Sequence, residues 1–118
     1  GIYSTPLPVG DAIVTFFEPN YACRCFPCFE GPEIRIPWEL EFLLDVDRKV
    51  ISNTLQHSDT GREKSTSRIR FPPTDPLPCY LLTWIIAPDF DVFEASHDTC
   101  PEAMLYVPKG VRYDPEIP

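Results

Sequence analysis

Long apolar runs are missing from this chain: the longest, Tyr80 to Ala87, is interrupted at Thr83, whereas a bilayer-spanning helix needs about 20 such residues. Membrane insertion is not expected. Cations are scarce as well, with 10 Lys and Arg against 18 Asp and Glu and a formal net charge of −8. That balance repels polyanions, so neither nucleic acid nor an anionic membrane surface is an expected partner. No Asn-x-Ser/Thr glycosylation acceptor occurs, since Asn20 is followed by Tyr21-Ala22 and Asn53 by Thr54-Leu55. There are only two histidines, and no Gly-x-Ser-x-Gly elbow accompanies them. The first residues hold neither a basic n-region nor an apolar h-region, as expected of a mature form after signal removal or of a cytosolic protein with a trimmed start.

What is abundant is proline, 15 in 118 residues. A proline has no amide donor and clashes with the preceding helical turn, so prolines at this density cut the chain into pieces too short for long helices. The length fits one domain, residues 1–118. Period-two patterning then argues for strands. Its clearest instance follows Pro37: Trp38, Leu40, Phe42, Leu44 and Val46 fall on one face, with Glu39, Glu41, Leu43 and Asp45 on the other. A helix opening at Pro37 would align Trp38, Phe42 and Val46 but would turn Leu40 and Leu44 away from that stripe, which favours the strand. Asp47-Arg48 is expected to turn this strand into a hairpin partner over Val50 to Gln56.

Further strands are expected at Asp11–Phe17, Arg62–Phe71, Cys79–Ala87, Phe90–Glu94 and Ala103–Val107. Residues 1–10, with Pro6 and Pro8, read as an extended lead-in, Glu18-Pro19-Asn20 as a turn, and residues 72–78 as a proline-rich crossover. The apolar run after Cys79 suits a central strand buried on both faces. The alternating charges of Arg62–Phe71 suit an edge or outer strand. Six or seven short strands give a mainly β fold, a small single-domain antiparallel β-sandwich or partly open barrel with disulfide staples.

The staples come from five cysteines. Cys23, Cys25 and Cys28 crowd one loop, and Cys79 and Cys100 lie far along the chain. Cys23 and Cys25 are too close for an unstrained mutual bridge, so two members of the cluster are expected to pair with Cys79 and Cys100. The odd cysteine is then either buried or bridges a homodimer. This pattern points to a secreted, extracellular protein. The competing reading is an intracellular zinc site built from Cys23, Cys25, Cys28, His97 and Cys100, although only one Cys-x-x-Cys half is present.

Asp45-x-Asp47 and Asp89-x-Asp91 resemble loop calcium pairs, yet lack the glycine and glutamate that complete such loops, and read as solvated turns. His57 beside Ser58-Asp59, and His97 before Asp98, supply the materials of a small hydrolase with a carboxylate and histidine site, without nucleophile context. No cofactor is expected. The one asymmetry of charge is Arg62, Lys64, Arg68 and Arg70, a basic face in an acidic protein. It could dock an acidic partner or simply protect a sheet edge. These observations favour a small secreted binding protein, effector-like or allergen-like, that recognises a protein or a glycan and catalyses nothing. The zinc module and the hydrolase are the alternatives.

Overall fold

The computed structural model describes residues 1–57, 61–62, 64–94 and 103–113. Among them the regular structure is β-strand with two single 3-10 turns, as expected of a mainly β chain. One antiparallel sheet holds β1 (Ile2–Leu7), β2 (Gly10–Thr15), β7 (Trp84–Ala87) and β4 (Lys49–Ser52) in the order β1-β2-β7-β4. A second holds β3 (Leu40–Asp45), β6 (Thr66–Phe71) and β5 (Gly61–Arg62) in the order β3-β6-β5. The hairpin of β8 (Phe90–Glu94) and β9 (Met104–Pro108) forms a third.

The extended lead-in is a strand. β1 pairs along its whole length with β2, from Ile2 against Thr15 to Leu7 against Gly10. It tolerates Pro6 because it lies at the sheet edge, where a missing N–H removes no central ladder bond. Pro8-Val9 makes the tip, and Gly10 follows at φ +123°, a conformation that side chains disfavour. A Cβ at Gly10 would also sit 3.1 Å from the Pro88 ring.

β3 has the alternation its sequence carries, with Leu40, Phe42 and Leu44 partly buried and Glu41, Leu43 and Asp45 exposed. The expected hairpin with the following strand does not form. β3 pairs instead with β6, and β4 pairs with β7, Val50 opposite Ile86 and Ile51 opposite Ile85. The Asp45–Arg48 turn therefore carries the chain from one sheet to the other. Apolar side chains on β4 find a better-matched neighbour in the apolar β7 than in β3, whose outward face is charged.

β6 is the middle strand of its sheet and not an edge or outer strand. Ser67, Ile69 and Phe71 point inward, and Arg68 and Arg70 outward. β7 does occupy a central position, between β2 and β4, but it begins only at Trp84, because Cys79–Leu81 forms a 3-10 turn. The 72–78 crossover is less free than its prolines suggest. Ile36 and Leu77 form an isolated antiparallel bridge, Thr74 N–H donates to Trp38 O at 3.0 Å, and the Trp38 indole N–H donates to Leu77 O at 3.1 Å.

Val50 and Ile86 of the first sheet and Ile69 and Phe71 of the second form one buried cluster, with Phe42 and Trp84 packed against it. A second cluster joins Ala12, Ala87 and Phe90 and brings Tyr106 of β9 onto the first sheet. A third lies under the cysteine-bearing loop, around Phe17, Ala22 and Cys79.

Candidate functional site

The loop from Tyr21 to Pro32 is organised by aromatic rings. After the turn at Glu18–Asn20, the 3-10 turn Ala22–Arg24 buries Ala22, and Phe26 then packs edge-on to Phe17 at 5.6 Å between centroids. Phe26 also meets Trp38 at 5.4 Å, and Phe17 meets Trp84 at 5.4 Å. Trp38 and Trp84 thus serve the interior. Rings at such separations and angles favour one another beyond the area they bury.

The loop's cysteines separate into two environments. Cys23 and Cys25 are exposed, and Cys23 N–H donates to Glu30 Oε1 at 3.0 Å. The Glu30 side chain, hydrogen-bonded to the Cys23 thiol, raises that thiol above its ordinary value. Cys28 is half-buried and packs with the fully buried Cys79, whose Sγ donates to Phe29 O at 3.3 Å. Burial, and then the neighbouring Cys79 thiol, pushes Cys28 up to about 12.

Cys23, Cys25, Cys28 and Cys79 are all free thiols, so no staple is formed among the described cysteines. Cys100 and His97 lie outside the described residues, as do Ser58, Asp59 and Asp98. Among the described residues no three His, Cys, Asp or Glu side chains converge as metal ligands, and the Cys23, Cys25 and Cys28 portion of the expected zinc set is not gathered.

The expected basic face is only partly basic. Cross-strand register sets Glu41 opposite Arg70, and Glu41 pairs with both the Arg70 side chain and Arg68, the latter at 3.3 Å. Arg70 and the weaker field of Arg68 hold the Glu41 carboxyl below its usual range, and Glu41 raises Arg70 in turn. Lys64 is exposed, and the described part of Arg62 is its backbone, which pairs with Ser67. Period-two alternation placed Glu41 on an outward face, but only the register of β3 on β6 brings it to the arginines.

A surface cleft of about 350 Å³ is lined by Glu39, His57, Arg70, Phe71, Pro72 and Pro73. The backbone N–H of His57 donates to Arg70 O at 3.0 Å, which fixes His57 at the cleft. This brings a carboxylate, an imidazole and a guanidinium to one place, a set that can bind a small polar group.

Asp89 is not the solvated turn residue its sequence suggests. Its carboxylate meets Lys49 Nζ of β4 at 2.5 Å and also the Lys109 ammonium just after β9, so it ties the β8–β9 hairpin to the first sheet. Lys109, then Lys49 and the Phe90 N–H, hold the Asp89 carboxyl well below the usual carboxylate range. Because the folded value is depressed, the contribution to stability is full above the ordinary carboxylate pKa, near pH 4, and is lost as pH falls toward the folded value. Asp89→Asn is expected to lower Tm at pH 7 and at pH 5, with the gap from the parent narrowing by pH 3. A gap of constant size in melts at those three pH values would remove Asp89 from this role.

Comparison with known proteins contradicts the expected non-catalytic binding protein. Residues 2–81 match the Peptidase M1 N-terminal domain. The chain is similar to Aminopeptidase N of Acetobacter pasteurianus, 29% identical over 100 residues that cover 85% of this chain and 28% of that protein. It is also similar to Probable aminopeptidase 1 of Sulfurisphaera tokodaii, 40% identical over 53 residues that cover 45% of this chain and 7% of that protein. The chain therefore spans well under half the length of either relative. These matches overturn the reading as an effector-like binding protein unrelated to any enzyme. They also overturn the expectation that the chain is no enzyme, since the matched family and both relatives are peptidases by name, the match being to the N-terminal domain. Similarity spread over most of the chain, with no single short motif to announce it, shows that this chain belongs to the Peptidase M1 N-terminal domain family.

Proposed function

We propose that this chain acts as the N-terminal β portion of an aminopeptidase, a scaffold whose partner is the catalytic remainder of the same polypeptide. The family match over residues 2–81 carries the reading, and the resemblance to two aminopeptidases, each much longer than the region matched, supports it. On this view the two larger sheets are the layers of a sandwich. The cluster shared by Val50, Ile86, Ile69 and Phe71 supports that arrangement, since each sheet contributes two of the four side chains.

The test is hydrolysis of an aminoacyl p-nitroanilide. The polypeptide encoded by the gene that carries these residues is expected to release p-nitroaniline from leucine p-nitroanilide and to spare the N-acetylated substrate. The 118-residue segment alone is expected to release none. Hydrolysis by the segment alone would defeat the scaffold reading, and an inert whole polypeptide would defeat the aminopeptidase reading.

A further inference from the structure

Cys28 and Cys79 are distant in the chain yet share the third core cluster, at the point where the Tyr21–Pro32 loop rests on the 3-10 turn that leads into β7. Cys79 is 1% exposed, and its Sγ is already directed toward the loop, donating to Phe29 O at 3.3 Å. Cys28 is half-buried and so offers the solvent-side approach to the pair. Cys23 and Cys25, on the same loop, are exposed and lie outside this cluster. The aromatic contacts of Phe26 with Phe17 and Trp38 hold the loop in place above Cys79.

We propose that Cys28 and Cys79 form a thiol–disulfide pair that takes a small-molecule disulfide as its oxidant and, once oxidised, locks the 21–32 loop onto the turn before β7. The Cys28 thiolate attacks one sulfur of the oxidant, forming a mixed disulfide and releasing one thiol. The Cys79 thiolate then attacks the Cys28 sulfur and expels the second thiol. Two protein thiols and one disulfide become one protein disulfide and two small thiols, with the two protein protons carried by the released thiols. Only a thiolate attacks, and Cys28 is pushed up to about 12, so the pair stays reduced for long periods at neutral pH and reacts faster as pH rises.

The experiment exposes the full chain carrying Cys23→Ser and Cys25→Ser, and the unaltered chain in parallel, to oxidised glutathione at pH 7, 8 and 9. Samples are mapped without reduction after chymotrypsin digestion, because Tyr80, Trp84 and Phe90 separate Cys79 from Cys100. The expected product in both chains is a Cys28–Cys79 linked peptide, two hydrogens lighter than its parts. Its rate of formation should rise about tenfold per pH unit. Tm should rise by roughly 10 °C, because the bridge closes a long loop of the unfolded chain, and should return on adding dithiothreitol. Cys28 retained as a glutathione adduct, Cys28 linked to another cysteine, or both thiols still open to alkylation after prolonged exposure at pH 9 would each overturn the pairing.

Discussion

Replacing Phe71 by alanine is expected to destabilise the chain by about 3–5 kcal/mol, the usual result of emptying a buried aromatic site. Phe71 is 2% exposed, closes β6, and meets Phe42 of the neighbouring β3 edge-on at 5.8 Å. It also packs with Val50 and Ile86 of the other sheet, so its removal opens a core shared by both sheets and not merely one sheet's surface. Against a typical total stability of about 5–15 kcal/mol, that loss leaves a large fraction of molecules unfolded at moderate temperature. Phe71→Leu keeps most of the volume and should cost much less, under about 2 kcal/mol. Urea denaturation of the three chains measures both numbers. A shift below about 1 kcal/mol for the alanine variant would mean that the sheets do not share this core.

Thr15→Val is the second large effect, about 1–3 kcal/mol, although the two side chains have nearly the same shape. The ladder between β2 and β7 ends after Ile13–Ile86 and Val14–Ile85. At the next position the Thr15 hydroxyl takes the place of backbone pairing: it accepts the Trp84 N–H at 2.9 Å and donates to Trp84 O at 3.1 Å. Thr15 is buried, so valine would leave the Trp84 amide without its partner in a region that water reaches poorly. Amide hydrogen exchange at Trp84 is expected to accelerate along with the loss of stability. An unchanged exchange rate would show that the amide has another partner and that the hydroxyl is dispensable.

The family likeness had no local signal to be read from. No spacing of histidines and acids and no glycine-rich turn marks this chain, and the resemblance is dispersed across residues 2–81. Composition and cysteine spacing instead suggested a secreted, stapled protein. The four described cysteines are thiols, so the argument from staples to an extracellular setting has no bridged pair behind it. The spacing did identify Cys28 and Cys79 as candidates for proximity, among several pairings that it ranked no higher. What distinguishes that pair is the packing of Phe17, Phe26 and Trp38, which seats Cys28 and leaves Cys23 and Cys25 in solvent.

Local pattern was enough to establish the β class, the two faces of β3, the alternating charged face of β6 and the central place of the run ending at Ala87. Alternation along a strand is a local property, and proline density is a local constraint, so both can be read without knowing any neighbour. It took the folded arrangement to reveal that β3 joins β6 while β4 crosses to β7, that the proline-bearing N-terminus is an edge strand, that Glu41 meets the arginines, and that Asp89 bridges Lys49 and Lys109. Apart from the β1–β2 pairing, each of these depends on segments that are distant in the chain. Periodicity tells a side chain which face it occupies, but the partner opposite is chosen by the packing of the whole core.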